Sequence, residues 1–347
     1  MLIYVIADRP SKIASLRSIV EPRHRVIAPD PTGVGAKPGP DAVVLLDLDL
    51  RRTPMIDQAR AYLRNVDKRS HKIFVIDRNS HGQVVQAHAL GGTGTIHRPI
   101  DGCELLHALS LLEAPGKPAR LDAGSPALSH SAAIFASMFS AMIDGTAIVL
   151  GDAKQATDQI IDSIHTHGLS AWLDDVRKYH EGTFQHCLLV SGIAVSFGLS
   201  LGFCNADVRR LGLAATLHDV GKAKIPLAIL DKPDRLDAGE EKTMRQHPLL
   251  GFDALKPIAG LDAETLDAVR HHHEYLDGTG YPDGLRAPAI SDVVRLLTIS
   301  DIFAALIEAR PYRPPMNPQR AYDILCEMDG KLESALIRAF KPIALSA

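Results

Sequence analysis

The hydrophobic pattern of this chain changes its period once, near residue 115, and that change limits the folds open to it. Before the change, short apolar runs alternate with helix-like stretches. Residues 2–7, 42–46 and 72–76 read as buried parallel strands, and residues 10–20, 54–66 and 82–90 as the helices between them. Such a βα repeat predicts a doubly wound open sheet. After the change, strand signals nearly vanish. Helical patterns follow one another over residues 173–179, 186–198, 206–217, 238–247, 263–273, 293–310 and 318–328. The expected fold class is multidomain, an α/β domain followed by an all-α bundle. Gly116, Pro118, Gly124 and Pro126 mark the boundary. The expected division is an α/β domain over 1–115, a linker with connecting helices over 116–170, and a helical domain over 171–347.

Composition narrows the function. The net charge of −3 over 347 residues argues against generic nucleic-acid binding, which shows a basic excess. A small anionic ligand stays compatible, because a few local cations and metal ions suffice for one. Cys103, Cys187, Cys204 and Cys326 show no C-x-x-C spacing, so neither a disulfide framework nor a zinc ribbon is expected. A reducing cytoplasm fits that usage. The N-terminus lacks a basic region and reads as a first strand, not a signal peptide. Residues 127–143 and 188–204 carry no charge, counting His130 as neutral, yet each is shorter than the roughly 20 residues a bilayer requires. They read as core helices, and no membrane span is expected.

In the first half, Asp47 ends the run Ala42-Val43-Val44-Leu45-Leu46-Asp47, where an open α/β sheet places its ligand groups. Residues 1–113 resemble the response-regulator receiver family. Ile96-His97-Arg98-Pro99-Ile100 is similar to that family's Lys-Pro segment, with Arg98 in the lysine's place. Asp8 is the one acid in the first loop, and Asp77 stands where the family has a hydroxyl. The resemblance makes Asp47 the candidate phosphoacceptor. Magnesium, however, prefers two or more carboxylates, and Arg98 lacks the compact ammonium of lysine. A degenerate receiver-like domain with a silent Asp47 is therefore expected.

The second half scatters His186, His218-Asp219, His247, His271-His272-His273 and Asp301 in or at the ends of expected helices. Facing helices of a bundle project such side chains inward. Adjacent helical residues point about 100° apart, so His218 and Asp219 suit two neighbouring ions better than one. Imidazole with carboxylate favours iron, manganese, zinc or nickel over magnesium. Lys222 adds an ammonium where a phosphate would sit. Paired ions of this kind favour in-line displacement at phosphorus.

Residues 176–342 resemble the HD-GYP phosphodiesterases of the HD superfamily. The matching segments are His218-Asp219-Val220-Gly221-Lys222, Ile225-Pro226 with Ile229-Leu230, and His247-Pro248 with Gly251. His272-His273-Glu274-Tyr275-Leu276-Asp277-Gly278-Thr279-Gly280-Tyr281-Pro282, Ser300-Asp301-Ile302-Phe303 and Arg310-Pro311-Tyr312-Arg313 follow. The resemblance implies seven metal ligands: His186, His218, Asp219, His247, His272, His273 and Asp301. Asp219 would bridge the ions and, with Lys222, carry catalysis. Lys222, Tyr281, Arg310 and Arg313 would contact the substrate or lie beside it. The implied activity is hydrolysis of the 3′–5′ phosphodiester of cyclic di-GMP by metal-activated water, to linear pGpG, with further cleavage to GMP left open. A non-hydrolysing dinucleotide sensor or scaffold, or an enzyme for another cyclic dinucleotide such as 3′,3′-cyclic GMP–AMP, are the alternatives. Diguanylate cyclases, through the Gly280-Tyr281-Pro282 loop and the receiver-like domain, are the implied partners, and homodimerisation stays open.

Three departures bear on the site. Some relatives carry a Glu four residues before the first His and hold a third ion. Here that position is Gly182, and Glu181 lies about 140° round the helix from His186. Two ions, iron or manganese, are expected rather than three. Ala304 replaces a frequent Asp, and the helix after His186 lacks the usual basic residue. His165, His167 and His180 read as surface residues, and Glu274 and Asp277 as residues that shape the loop.

Overall fold

Five strands form one parallel sheet in the first unit: β1 (Leu2–Ala7), β2 (Arg25–Ile27), β3 (Val43–Asp47), β4 (His71–Asp77) and β5 (Gly94–Arg98), in the order β2-β1-β3-β4-β5. The structure is a computed structural model of the chain. It describes residues 1–29, 38–40, 42–67, 69–77, 80, 83, 86–87, 90–113, 126–178, 182–230, 232, 234–308 and 315–347. The chain divides into two units, Met1–Ala123 and Gly124–Ala347.

In the sheet, alternate residues feed two cores. Tyr4, Ile6, Val44, Leu46, Phe74 and Ile76 line one face, and Ile3, Val5, Val43, Leu45, Ile73 and Val75 the other. Burial on both faces is why these strands are apolar without a break. Helices α1 (Pro10–Val20), α2 (Thr53–Leu63) and α3 (Gly102–Glu113) belong to this unit. β2 escaped the sequence pattern because it is three residues long and its Arg25 is exposed. The helix expected over 82–90 lies largely outside the described residues.

The second unit is helical: α4 (Pro126–Asp144), α5 (Leu150–Lys178), α6 (Gly182–Ser200), α7 (Asn205–Leu217), α8 (Leu227–Leu230), α9 (Ala238–Met244), α10 (His247–Leu255), α11 (Ala263–His271), α12 (Asp292–Ile307), α13 (Pro318–Glu327) and α14 (Ser334–Leu345). α5 is broken at Gly168, which takes a positive φ of 81°. α6 packs against α5, α7 and α12 and is buried along most of its length, the position expected of a helix that is apolar all round. Its Val190, Ile193, Val195 and Phe197 are essentially fully buried, each contributing about 1.5–3 kcal/mol of apolar transfer. Trp172 of α5 donates its indole N–H to the Leu188 carbonyl at 3.1 Å. The uncharged stretches 127–143 and 188–204 thus fall in or at the end of core helices. Among the described residues no helix is long and apolar enough to cross a membrane.

One expected helix is two. Residues 238–247 do not run through: α9 stops at Met244 and α10 starts at His247, with Pro248 in its first turn. Proline favours that position because its missing N–H would be unpaired there anyway. α14 was missed because Pro342 interrupts its pattern.

Candidate metal centre

The chemistry-bearing residues of the helical unit sit mostly at helix ends. His218 is the C-cap of α7, Asp219 follows it, His247 opens α10, and His272-His273 follow α11. His186 and Asp301 lie inside α6 and α12. A short 3-10 turn, Val220–Lys224, packs against α10. Gly221 makes that packing feasible: a Cβ there would collide with the His247 carbonyl and the Gly251 backbone. The turn therefore brings Asp219 against His247.

All seven side chains converge. Asp219 Oδ1 lies 3.2 Å from His247 Nε2 and 3.9 Å from His272 Nε2, and its Oδ2 lies 3.3 Å from His218 Nε2 and 3.6 Å from His186 Nε2. Asp301 Oδ1 is 3.0 Å from His186 Nε2, and Asp301 Oδ2 is 3.7 Å from His273 Nδ1. Lys222 places its ammonium 2.5 Å from Asp219 Oδ2. His218 and His272 are fully buried, and His186, Asp219, His247 and Asp301 nearly so. Three overlapping sets of side chains bring ligand atoms close enough to share an ion: His247-His272-His273, His186-His218-Asp301 and His218-Asp219-His272.

The ring tautomers follow from the backbone. His218, His247 and His272 each place Nδ1 2.7, 2.8 and 2.9 Å from the carbonyls of Ala215, Met244 and Val269. A carbonyl only accepts, so each Nδ1 carries the hydrogen and donates it. In the neutral rings the Nε2 atoms are then bare. Yet His247 Nε2 lies 3.3 Å from His272 Nε2 and 3.2 Å from His273 Nε2. Between His247 and His272 two lone pairs face each other in a buried site and repel unless a proton or a cation lies between them, whereas a neutral His273 can carry its hydrogen on Nε2 and donate it to His247. A proton is disfavoured: burial, with three other imidazoles nearby, drives His272 well below the usual histidine range. Burial pushes His273 down to about 3. Burial alone would raise the Asp219 carboxyl, but Lys222 and His218 outweigh it and hold it well below the carboxylate range. Asp301 is held low in the same way by His186 and His273.

The loop after His273 walls one side. Tyr281 stacks on the His273 ring, with centroids 4.7 Å apart and planes at 29°. The Arg245 guanidinium lies 5.1 Å from the centroid of the Tyr281 ring. Glu274 is buried and accepts from the N–H groups of Asp283, Gly284 and Leu285 at 2.6, 2.8 and 3.0 Å. Gly280 runs so close to the backbone of His273, Glu274 and Tyr275 that no Cβ fits. Asp277 caps the Thr279 N–H at 2.9 Å. His271 points away from the cluster, between Asp267 and Asp283 at 2.7 and 2.8 Å. His165 and His167 are exposed, while Arg310, Arg313, Glu181 and His180 lie outside the described residues.

Glu308 is the residue that sequence reading missed. It is buried at the C-cap of α12, and its Oε2 lies 3.5 Å from His186 Nδ1. Seven residues separate it from Asp301, close to two helical turns, so both belong to one face. That spacing is present in the sequence but gains meaning only once this face is known to point inward. Arg245 was missed too, since nothing in its local pattern ties it to Tyr281.

In the sheet unit, Asp47 is buried at the end of β3, beside Ala7 of β1. Lys12 Nζ lies 2.9 Å from Asp47 Oδ1 and 2.8 Å from Asp8 Oδ1. Arg98 pairs with Asp47 directly and with Asp77 at 2.6 Å. A cavity of about 230 Å³ in the helical unit, lined by Lys154, Thr157, Arg209 and Arg210 among others, shares no residue with the His–Asp cluster.

The HD domain family matches residues 137–336, more than half of the chain. This chain belongs to the HD domain family. A cyclic di-GMP phosphodiesterase of Pseudomonas aeruginosa is 34% identical over 214 residues, covering 61% of this chain and 51% of that protein. The cyclic di-GMP phosphodiesterase response regulator RpfG of Xanthomonas campestris pv. campestris is 37% identical over 153 residues, 44% of this chain and 40% of its own length. A 3'3'-cGAMP-specific phosphodiesterase of Vibrio cholerae is 34% identical over 143 residues, 41% of this chain and 33% of its own. The chain thus spans about a third to a half of the length of these curated relatives.

An HD domain implies a divalent metal site, and this cluster fits one. His218 Nε2 and Asp219 Oδ1 are buried and close to polar neighbours, yet neither makes a properly directed hydrogen bond. Leaving such atoms unmatched costs about 1–3 kcal/mol each. Imidazole nitrogens and carboxylate oxygens aimed at common points are what a borderline divalent cation requires. The HD domain's own side chains thus meet the donor-set condition without help from other chains.

Proposed function

We propose that this chain is a metal-dependent cyclic di-GMP phosphodiesterase that cleaves a 3′–5′ phosphodiester to the linear dinucleotide pGpG. The observation that carries the reading is the set of three bare, inward-facing Nε2 atoms of His218, His247 and His272 around the Asp219 carboxylate. His186, His218, Asp219, His247, His272, His273 and Asp301 would hold two divalent ions, iron or manganese, with Asp219 between them. Such ions, when bound, polarise a phosphoryl oxygen and lower the pKa of water.

The chain's own groups do the rest. Lys222 stays protonated: burial alone would lower its pKa, but Asp219 and Asp301 hold it raised. Its ammonium faces phosphate oxygens and offers a proton at Nζ. The three backbone carbonyls fix the imidazole orientations before substrate arrives, so no reorganisation is spent on them. Tyr281, stacked on His273, excludes water from one side and offers its ring edge to a base. Arg310 and Arg313 complete the substrate contacts in this reading, and Glu181 leaves no third ion.

Residues 171–347 are the catalytic domain in this proposal, and residues 116–170 connect it to a receiver-like domain over 1–115. The all-parallel strand order β2-β1-β3-β4-β5 supports a doubly wound receiver-like unit. Asp47 is silent in it, and partners such as diguanylate cyclases, or a second copy of the chain, regulate the enzyme in the cytoplasm. One relative is named for 3'3'-cGAMP, so a cyclic GMP–AMP substrate is the second reading. Iron- or manganese-loaded protein incubated with each dinucleotide decides: linear product from cyclic di-GMP supports the proposal. Binding without product would make the chain a sensor, and faster turnover of the mixed dinucleotide would favour the second reading.

A further inference from the structure

We infer that Glu308 is a positioning residue of the metal centre: its carboxylate accepts the Nδ1–H of His186 and so turns His186 Nε2 towards Asp301 and Asp219. This inference rests on the metal-centre reading of the cluster and adds a residue to it.

The other buried histidines show why His186 requires such a partner. The last carbonyls of a helix have no partner in the helix itself. Ala215 and Val269 lie in the last turns of α7 and α11, and Met244 ends α9. Those spare carbonyls take the Nδ1–H groups of His218, His272 and His247 at 2.7–2.9 Å. His186 lies inside α6, where carbonyls are committed to the i→i−4 ladder. Its ring cannot borrow one. Glu308 stands as the nearest acceptor from another helix: its Oε2 lies 3.5 Å from the buried His186 Nδ1, which makes no properly directed hydrogen bond in this structure and so calls for one. On the far side of the ring, Nε2 lies 3.0 Å from Asp301 Oδ1 and 3.6 Å from Asp219 Oδ2. His186 is thus strung between a carboxylate that orients it and two that share its cavity.

The chemistry differs from the carbonyl case in one respect. A charged acceptor makes the imidazole a stronger donor to a metal than a neutral carbonyl does. The inference therefore predicts an unequal pair of ions: the one served by His186 and Asp301 depends on Glu308, and the one served by His247 and His272 does not. Orienting partners of metal-bound histidines typically change metal affinity about 10–100-fold.

The test uses the full chain, stripped of metal, then titrated with Mn²⁺ by calorimetry, with metal content read independently by mass spectrometry. Wild-type protein takes up two ions. Glu308→Ala weakens one ion about 10–100-fold and leaves the other unchanged. Glu308→Gln, whose amide oxygen still accepts from Nδ1–H without the charge, falls between the two and guards against a folding artefact, with thermal melts run alongside. In Zn²⁺-loaded, ¹⁵N-histidine-labelled protein, His186 shows an Nδ1–H tautomer that Glu308→Ala alters. Glu308→Ala binding both ions as wild type does would overturn the inference. So would Glu308→Gln no tighter than Glu308→Ala, or a His186 protonated at Nε2 in the loaded protein. Wild-type protein that takes up no Mn²⁺ would overturn the metal-centre reading itself, before any variant is compared.

Discussion

Lys222 and Asp219 form an ion pair of 2.5 Å within a buried turn, the lysine three residues after the carboxylate. The pair holds a positive charge next to the inward-facing imidazoles, where a phosphate's negative oxygens would approach. Replacing Lys222 by methionine removes the charge and keeps most of the volume. Turnover is expected to fall about 10²–10³-fold, the cost of losing one charge-stabilising donor, while both ions remain bound. Parallel measurement of turnover and metal content checks this, and loss of metal along with activity would place Lys222 in the structural support of the centre instead.

Asp219 predicts the opposite pattern. Four imidazoles lie within 3.9 Å of its two oxygens, so Asp219→Ala deprives both ions at once. Metal content is expected to drop by at least one ion per chain, and turnover to fall more than about 100-fold. The variant also leaves Lys222 buried without its main partner, a change that costs about 3–5 kcal/mol when a buried pair is broken. A metal-free melt comparing Asp219→Ala with the double variant Asp219→Ala/Lys222→Met separates the two effects: the double variant should recover part of the lost stability.

His186 sets a pH dependence in the metal-free protein. Burial alone would lower its pKa, but Asp301 and Glu308 push it up to about 9. A histidine raised above its unfolded value near 6.5 binds more protons in the folded state between those limits. Its contribution is fully present below pH 6.5 and is lost as pH rises through about 9. The melting temperature of metal-stripped protein should therefore fall between pH 6.5 and 9, and Glu308→Gln should flatten that fall. Metal must displace the same proton, so apparent Mn²⁺ affinity should climb across the same window. Calorimetry in buffers of different ionisation enthalpy would count the protons released.

Gly221 tests the scaffold. A Cβ at that position meets the His247 carbonyl and the Gly251 backbone, not a side chain that can swing aside. Gly221→Ala forces the turn and α10 apart. A loss of about 1–3 kcal/mol, or roughly 3–10 °C in Tm for a domain of this size, is expected, together with weaker metal binding because Asp219 and His247 separate. Wild-type Tm and metal affinity in this variant would mean that the turn accommodates the methyl by a shift that the site tolerates.

The sequence displayed the centre more fully than the sheet. His218-Asp219 and His272-His273 are pairs of titratable residues beside apolar helices, a costly arrangement without a partner, so they announced themselves. His186 sits alone in an apolar helix and was legible only through the family resemblance. Glu308 was not legible, because an acid at a helix end is ordinary and its role depends on α6 crossing α12, a tertiary fact. The i, i+7 spacing from Asp301 was present but carries no weight until the face is known to point inward. The end of one helix at Met244 and the start of the next at His247 was blurred, because the polar residues between them continue a helical pattern. β2 was invisible for the opposite reason, being too short to establish a period.

Asp47 gives the last prediction. In a receiver-like sheet a phosphoacceptor would require a divalent cation among neighbouring carboxylates. Here the Lys12 ammonium stands between Asp8 and Asp47, at 2.8 and 2.9 Å, and Arg98 pairs with Asp47 from another side. Two cations already balance these carboxylates, so a magnesium ion would enter against their repulsion. Acetyl phosphate with Mg²⁺ should leave Asp47 unlabelled in intact-mass measurements over hours. Stoichiometric labelling that disappears in Asp47→Asn would defeat this account. Lys12→Ala probes the cause: if the ammonium is what excludes the metal, this variant should bind Mn²⁺ in the sheet unit, as an ion beyond those the helical unit retains.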